Sequence, residues 1–172
     1  NFYKYFEAFG FTEKTGIDLV GEAGSQYHSE KNMGPTELSS SAFGQTFKVT
    51  PIQLLTAISA AVNGGYLVQP HVVDKIIDSK GNIVKSNTAT VKRQVVSKET
   101  SKLVCKLMEA VVDGGGGQNA YVPGYRIGGK TGTSQKVSEM LDTGKKRLYV
   151  ASFCGVAPID NPEIAMLFIL DE

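Results

Sequence analysis

Apolar residues at helical spacing open the chain. Phe2, Tyr5, Phe6 and Phe9 share one side of a short predicted helix over residues 1–9, which Gly10 stops. From Phe11 to Pro35 that period is broken by Gly16, Gly21, Gly24 and Gly34, and the segment reads as loop, with only residues 17–20 able to extend. Thr36 is expected to cap a short helix through Ser41, ended by Gly44. Thr50 before Pro51 is a stronger start signal, an N-cap hydroxyl followed by proline at the first helical position. The helix it predicts runs to Asn63 with Ile52, Leu55, Ile58, Ala61 and Val62 inward, and Gly64-Gly65 close it. Ser97 caps a second long helix over residues 98–113, with Leu103, Leu107, Ala110 and Val111 on one side and four glycines, 114–117, as its stop.

The remaining apolar segments read as strands. Residues 66–84 predict extended chain with a hairpin, in which residues 72–77 and Ile83-Val84 flank the turn Ser79-Lys80-Gly81-Asn82. Three further strands are expected over residues 126–135, 148–156 and 164–170. Residues 157–162 form a connection of the right length for an antiparallel pair between the last two. Helices followed by consecutive antiparallel strands predict an α+β fold, an antiparallel sheet packed against helices.

Composition changes this picture at few points. With 18 Lys+Arg against 17 Asp+Glu in 172 residues, no basic excess exists to neutralise phosphates, so nucleic acid is not expected as a partner. The longest uncharged stretch, residues 49–73, is interrupted by Pro51, Gln53, Asn63, Gly64, Gly65, Gln69 and Pro70, which argues against a membrane span. No signal-peptide pattern opens the chain, and it is expected to be soluble as given. Cys105 and Cys154 both sit in apolar runs and predict buried free thiols. A metal held by Cys154, His28 and His71 is weighed and set aside, because none shows ligand spacing; no metal and no cofactor are expected.

Two motifs compete for the same residues. Lys130-Thr131-Gly132-Thr133 carries the Lys-Thr-Gly triplet of serine acyl-transferases that also use Ser-x-x-Lys and Ser-x-Asn. A strand lysine supplies charge beside a nucleophile, threonine hydroxyls bond a substrate carboxylate, and glycine lets a substrate backbone approach. Lys14-Thr15-Gly16 is a second copy, in turn-rich sequence, and reads as structural. Gly124-Tyr125-Arg126-Ile127-Gly128-Gly129-Lys130-Thr131 also satisfies the phosphate-loop pattern, with residues 164–172 resembling an apolar strand ending in a Mg²⁺-binding acid. A phosphate loop follows a buried strand and opens a helix. Here a Pro-containing loop precedes it and Gly132-Thr133-Ser134 follow, so nucleotide binding is the lesser alternative.

The whole chain resembles the C-terminal part of the transpeptidase domain of class B penicillin-binding proteins, with a softer resemblance to the sporulation and cell-division branch of Gram-positive bacteria. Phe2-Tyr3-Lys4-Tyr5-Phe6-Glu7-Ala8-Phe9-Gly10-Phe11 with Lys14-Thr15-Gly16-Ile17-Asp18-Leu19 is similar to the stretch after the family's Ser-x-Asn element. Phe43-Gly44-Gln45 with Val49-Thr50-Pro51-Ile52-Gln53-Leu54 resembles its Gly-Gln…Thr-Pro-x-Gln segment. Asn119-Ala120-Tyr121-Val122-Pro123-Gly124-Tyr125 leading into Gly128-Gly129-Lys130-Thr131-Gly132-Thr133 is the most specific match. Ser152-Phe153-Cys154-Gly155-Val156-Ala157-Pro158 resembles the next strand, with Cys154 where the family more often has an aliphatic residue.

The resemblance implies a β-lactamase/transpeptidase-like fold truncated at both ends, residues 1–172 forming part of a single domain. No Ser-x-x-Lys and no Ser-x-Asn occur in the chain, so the nucleophilic serine and the general-base lysine have no number here. It implies that Lys130 provides charge in the cleft, that Thr131 and Thr133 orient a carboxylate, and that Gly132 allows close approach, with the Thr133 N–H as an oxyanion donor. The implied partners are the D-Ala-D-Ala end of a peptidoglycan stem peptide, β-lactams and other cell-wall synthesis proteins. The parent is expected to be membrane-anchored and extracytoplasmic. The chain alone is expected to be inactive and prone to self-association through an uncovered sheet face and edge. A non-catalytic, transpeptidase-like binding module is the competing class.

Overall fold

The computed structural model describes residues 1–136 and 148–171. Four α-helices and seven strands occur among them: α1 (Phe2–Ala8), α2 (Pro35–Ala42), α3 (Pro51–Val62), β1 (Tyr66–Gln69), β2 (Lys75–Ile77), β3 (Ile83–Ser86), β4 (Thr90–Gln94), α4 (Lys98–Asp113), β5 (Gly128–Gln135), β6 (Tyr149–Ala157) and β7 (Ile164–Asp171). The expected α+β class holds. The main sheet is antiparallel in the order β5-β6-β7, and β1-β4 and β2-β3 form separate two-stranded ladders. The predicted hairpin is β2-β3, but Val72 and Val73 lie outside its ladder. Both carboxylate oxygens of Asp18 accept their backbone N–H groups.

Strand β4 and its pairing with β1 were not expected. Thr90–Gln94 has two basic residues and one valine inside it, and only the partner strand earlier in sequence, with Tyr66 opposite Gln94, makes it a strand. The short helix starts earlier than expected, with Gly34 as N-cap and Pro35 in the first turn; Thr36 lies inside it.

Both long helices begin where the capping residues say. In α3 the Thr50 side chain accepts from the Gln53 N–H and the Gln53 side chain accepts from the Thr50 N–H. Their buried faces, however, correct the expected ones. In α3 the residues taken from water are Gln53, Thr56, Ala57, Ala60 and Val62, while Ile52, Leu55, Ile58 and Ala61 are half-buried. The cause lies at the cap: the Gln53 amide donates to the Glu13 carbonyl at 2.7 Å, turning that side of the helix onto the 11–16 loop. In α4 the buried residues are Ser101, Met108 and Val112, and Leu103 and Leu107 are exposed. Ser101 fixes this rotation by accepting the Gly64 N–H at 2.9 Å.

The core joins these layers. Val62, Met108, Val156 and Ile159 are buried together, with Ile58, Val104, Cys105 and Ala165 packed around them. Full burial of each such aliphatic side chain contributes about 1.5–3 kcal/mol. At the other end Phe6 is ringed by Phe2, Phe11, Tyr27 and Phe47, with centroids 5.1–5.9 Å away. This aromatic cluster pins α1 to the loop that follows it.

Candidate active site

Strand β5 carries the Lys-Thr-Gly triplet at the edge of the three-stranded sheet, and its pleat sorts the candidate residues by face. Lys130 stands opposite Cys154, Gly128 opposite Val156 and Gly132 opposite Ser152. Directly opposed residues share a face, so these lie on the side where Val156 meets the helices. Thr131 and Thr133, opposite Phe153 and Ala151, lie on the other side. The strand brings Lys130, Thr131 and Thr133 to one edge, the lysine on one face and the two threonines on the other. All three are exposed. The Lys130 ammonium donates to the carbonyl of Thr131.

The helix face is closed at one end of β5 and open at the other. Over Gly128, Ile159 and Met108 pack so tightly that a Cβ there would lie 2.5 Å from the Ile159 Cδ1. Over Gly129, on the opposite face, the Phe153 ring leaves only 2.3 Å. The two glycines let side chains from β6 and the following turn lie flat against both faces of the strand, a reason not apparent from the sequence. Cys154 is buried beside Lys130, and burial pushes its thiol up to about 11. Cys105, expected to be buried, is only half-buried; its thiol donates to the Val62 carbonyl.

The entry to β5 is clamped from outside. Arg126 makes a two-pronged ion pair with Glu109 of α4, at 2.7 and 2.8 Å, and reaches Asp160 in the β6-β7 turn at 2.8 Å. Its carbonyl accepts from the Ile159 N–H at 2.9 Å. The hydrogen bonds from Arg126 hold the Glu109 carboxyl below its ordinary range, and those from Glu109 and the charge of Asp160 raise the guanidinium above its own. At the far end of β5, Gln135 continues the row of Thr131 and Thr133, and its amide nitrogen is buried with no hydrogen-bond partner among the described residues.

The phosphate-loop alternative fails on this geometry. Residues 128–135 are a strand from end to end, no helix opens at Lys130 among the described residues, and Arg126 is committed to two carboxylates. The proposed Mg²⁺-binding acid fares no better, since Asp171 pairs with Lys136; Glu172 lies outside the described residues. The second Lys-Thr-Gly copy is structural as expected: Thr15 is buried, and Glu22 accepts from its hydroxyl and N–H at 2.6 Å and from the Gly16 N–H at 3.1 Å. His28 and His71 are exposed on other loops, and among the described residues no three His, Cys, Asp or Glu side chains converge as metal ligands. No helix among them is long and apolar enough to cross a membrane.

A family model of the penicillin-binding protein transpeptidase domain matches residues 1–172. The chain belongs to this family. Stage V sporulation protein D of Bacillus subtilis is 45% identical over 172 residues, covering 98% of this chain and 26% of that protein. The peptidoglycan D,D-transpeptidase FtsI of Escherichia coli is 29% identical, covering 97% and 26%. Among solved structures, penicillin-binding protein 3 of Mycobacterium tuberculosis complexed with aztreonam superposes with a TM-score of 0.89 at 28% identity, over 99% of this chain and 39% of that one. The transpeptidase domain of penicillin-binding protein 3 from Burkholderia pseudomallei gives 0.80 at 28%, over 99% and 48%. The chain thus spans about a quarter of the length of these curated relatives. Those superpositions establish the transpeptidase-like fold that the motifs implied.

Proposed function

We propose that this chain supplies the Lys-Thr-Gly wall of a serine D,D-transpeptidase that cross-links peptidoglycan stem peptides. The single observation that carries the reading is the placement of Lys130-Thr131-Gly132-Thr133 on an exposed edge strand, in a chain matched throughout by the transpeptidase family. An edge strand offers main-chain groups to an extended peptide, and Gly132 lets that peptide lie close.

In this reading a serine from outside these 172 residues attacks the carbonyl between the two D-alanines, forms an acyl-enzyme and releases the terminal D-Ala. The amine of a second stem peptide then attacks that ester, forming the cross-link and freeing the serine. Lys130 contributes positive charge to the cleft, Thr131 and Thr133 bond the substrate carboxylate at the strand edge, and the Thr133 N–H is one oxyanion donor. A β-lactam acylates the same serine; relatives solved with aztreonam and ampicillin support that ligand class. In this reading the full protein acts at the outer face of the cell membrane, in sporulation or division; the name of one relative, stage V sporulation protein D, supports the sporulation role.

The test is labelling with a fluorescent penicillin. The longer protein should be labelled at a serine upstream of Asn1, the Lys130→Ala form should acylate at least tenfold more slowly, and residues 1–172 alone should not be labelled. Stable labelling of the chain alone would overturn the account of an external nucleophile. An unlabelled longer protein would favour a non-catalytic binding module.

A further inference from the structure

We infer that Arg126 is a positioning residue for acylation: its ion pairs to Glu109 and Asp160 hold the entry of strand β5 and so set where Lys130, Thr131 and Thr133 meet the substrate. This rests on the transpeptidase reading and adds to it a residue outside the Lys-Thr-Gly triplet.

Among the described residues strand β5 has β6 on one side only, and its other edge is the one offered to substrate. Its own side chains give it little purchase: Gly128, Gly129 and Gly132 have none, and Lys130, Thr131 and Thr133 are exposed. Among the described residues, the ion pairs of the segment 126–135 all belong to Arg126. They tie the entry of the strand to two elements at once. Two guanidinium nitrogens grip Glu109 of α4 at 2.7 and 2.8 Å, and the third donates to Asp160 in the β6-β7 turn at 2.8 Å. Such a planar fork fixes orientation as well as distance, which an ammonium does not. Each carboxylate also adjoins in sequence a side chain that presses on Gly128, Met108 beside Glu109 and Ile159 beside Asp160. The clamp therefore sets how both seat against the strand, and the Arg126 carbonyl adds a backbone bond from the Ile159 N–H. Lys130 follows four residues on, about 13 Å along an extended chain.

Magnitudes separate positioning from plain stabilisation. The Arg126 and Asp160 side chains are about half exposed, and exposed ion pairs add little to stability. Geometry is what the fork supplies, and a misplacement of about 1 Å caused by a change away from the chemistry can slow a reaction about a hundredfold.

The experiment uses the full-length protein and its Arg126→Ala, Arg126→Lys and Glu109→Gln forms, acylated by a penicillin and by the methyl ester of the same penicillin. Rates are taken well below the thermal midpoints, which are recorded in parallel. Arg126→Ala should slow acylation by the free penicillin roughly ten- to hundredfold. The ester lacks the carboxylate that the β5 groups hold, so its rate should fall less and the carboxylate-to-ester ratio should drop. Arg126→Lys, which keeps the charge without the fork, should recover only part of the ratio. Glu109→Gln loosens the clamp from the helix side and should also lower the ratio, which keeps the inference testable if Arg126→Ala does not fold. An unchanged ratio in Arg126→Ala, or in Glu109→Gln should the former not fold, would overturn the inference, whether both rates hold or both fall together; the latter would mark Arg126 as a support of the fold alone. If the unsubstituted protein is acylated by neither compound, the transpeptidase reading itself fails, a result distinct from an acylated protein whose ratio does not move.

Discussion

Gly129 carries more of the site than its lack of chemistry suggests. The Phe153 ring lies where its Cβ would be, 2.3 Å from the Cζ, while Ile159 presses on Gly128 from the other face. A methyl at 129 forces the ring off its packing, and such overpacking costs about 1–3 kcal/mol. Gly129→Ala should therefore lower the unfolding free energy measured by chemical denaturation by that amount. Double substitution with Phe153→Leu, which shortens the offending side chain, should recover part of it; equal stability of wild type and Gly129→Ala would refute the contact. The two Lys-Thr-Gly copies teach the same lesson at this scale. Thr15 is consumed by Glu22, whereas Thr131 is exposed on an edge strand, so the identical triplet is inert in one place and available in the other.

At the scale of elements, helix α3 is held by its first turn. Gln53 closes the capping box with Thr50 and donates to the Glu13 carbonyl, yet it is almost fully buried. Replacing it with leucine keeps the volume but leaves the Thr50 N–H and the Glu13 carbonyl unpaired, a cost of about 1–3 kcal/mol for each group that water cannot reach. Gln53→Leu should be destabilised more than Thr50→Ala, for which the loss of a cap predicts about 1 kcal/mol; urea titrations of both would decide. Helix α4 shows why an apolar stripe does not name its own partner. Leu103 and Leu107 form one stripe and Val104, Met108 and Val112 another, and the Ser101–Gly64 hydrogen bond selects the second. Period alone could not choose between them.

Over the whole molecule, several carboxylates are tied to structure. Backbone N–H groups of Val72 and Val73 lower Asp18, the Asn82 side chain and backbone lower Asp78, and Arg126 lowers Glu109. Glu22 is raised by burial, but its bonds to Thr15 and Gly16 outweigh that and lower it overall. A carboxyl lowered in the folded state binds fewer protons there than in the unfolded chain, so its contribution is present above the unfolded value and lost as pH falls through the folded one. Thermal midpoints should hold from about pH 7 to about pH 5 and fall below about pH 4.5, where unfolded carboxyls begin to protonate. Glu22→Gln should show a smaller drop across that acid range than the wild type; an equal drop would remove Glu22 from the account.

The sequence by itself determined the starts of the two long helices, the three main strands, the Lys-Thr-Gly segment and the family, because caps, β-rich runs and a contiguous motif are local and need no partner. The tertiary structure decided which helix faces are buried, that Thr90–Gln94 is a strand, and that Phe153 and Ser152 attend the glycines of β5. Each of these depends on a contact between residues distant in sequence. The division of the candidate site follows from the same cause. Four consecutive letters place Lys130 and Thr133 side by side, but a pleated strand sends alternate side chains to opposite faces, and the neighbouring strand decides what stands beside each.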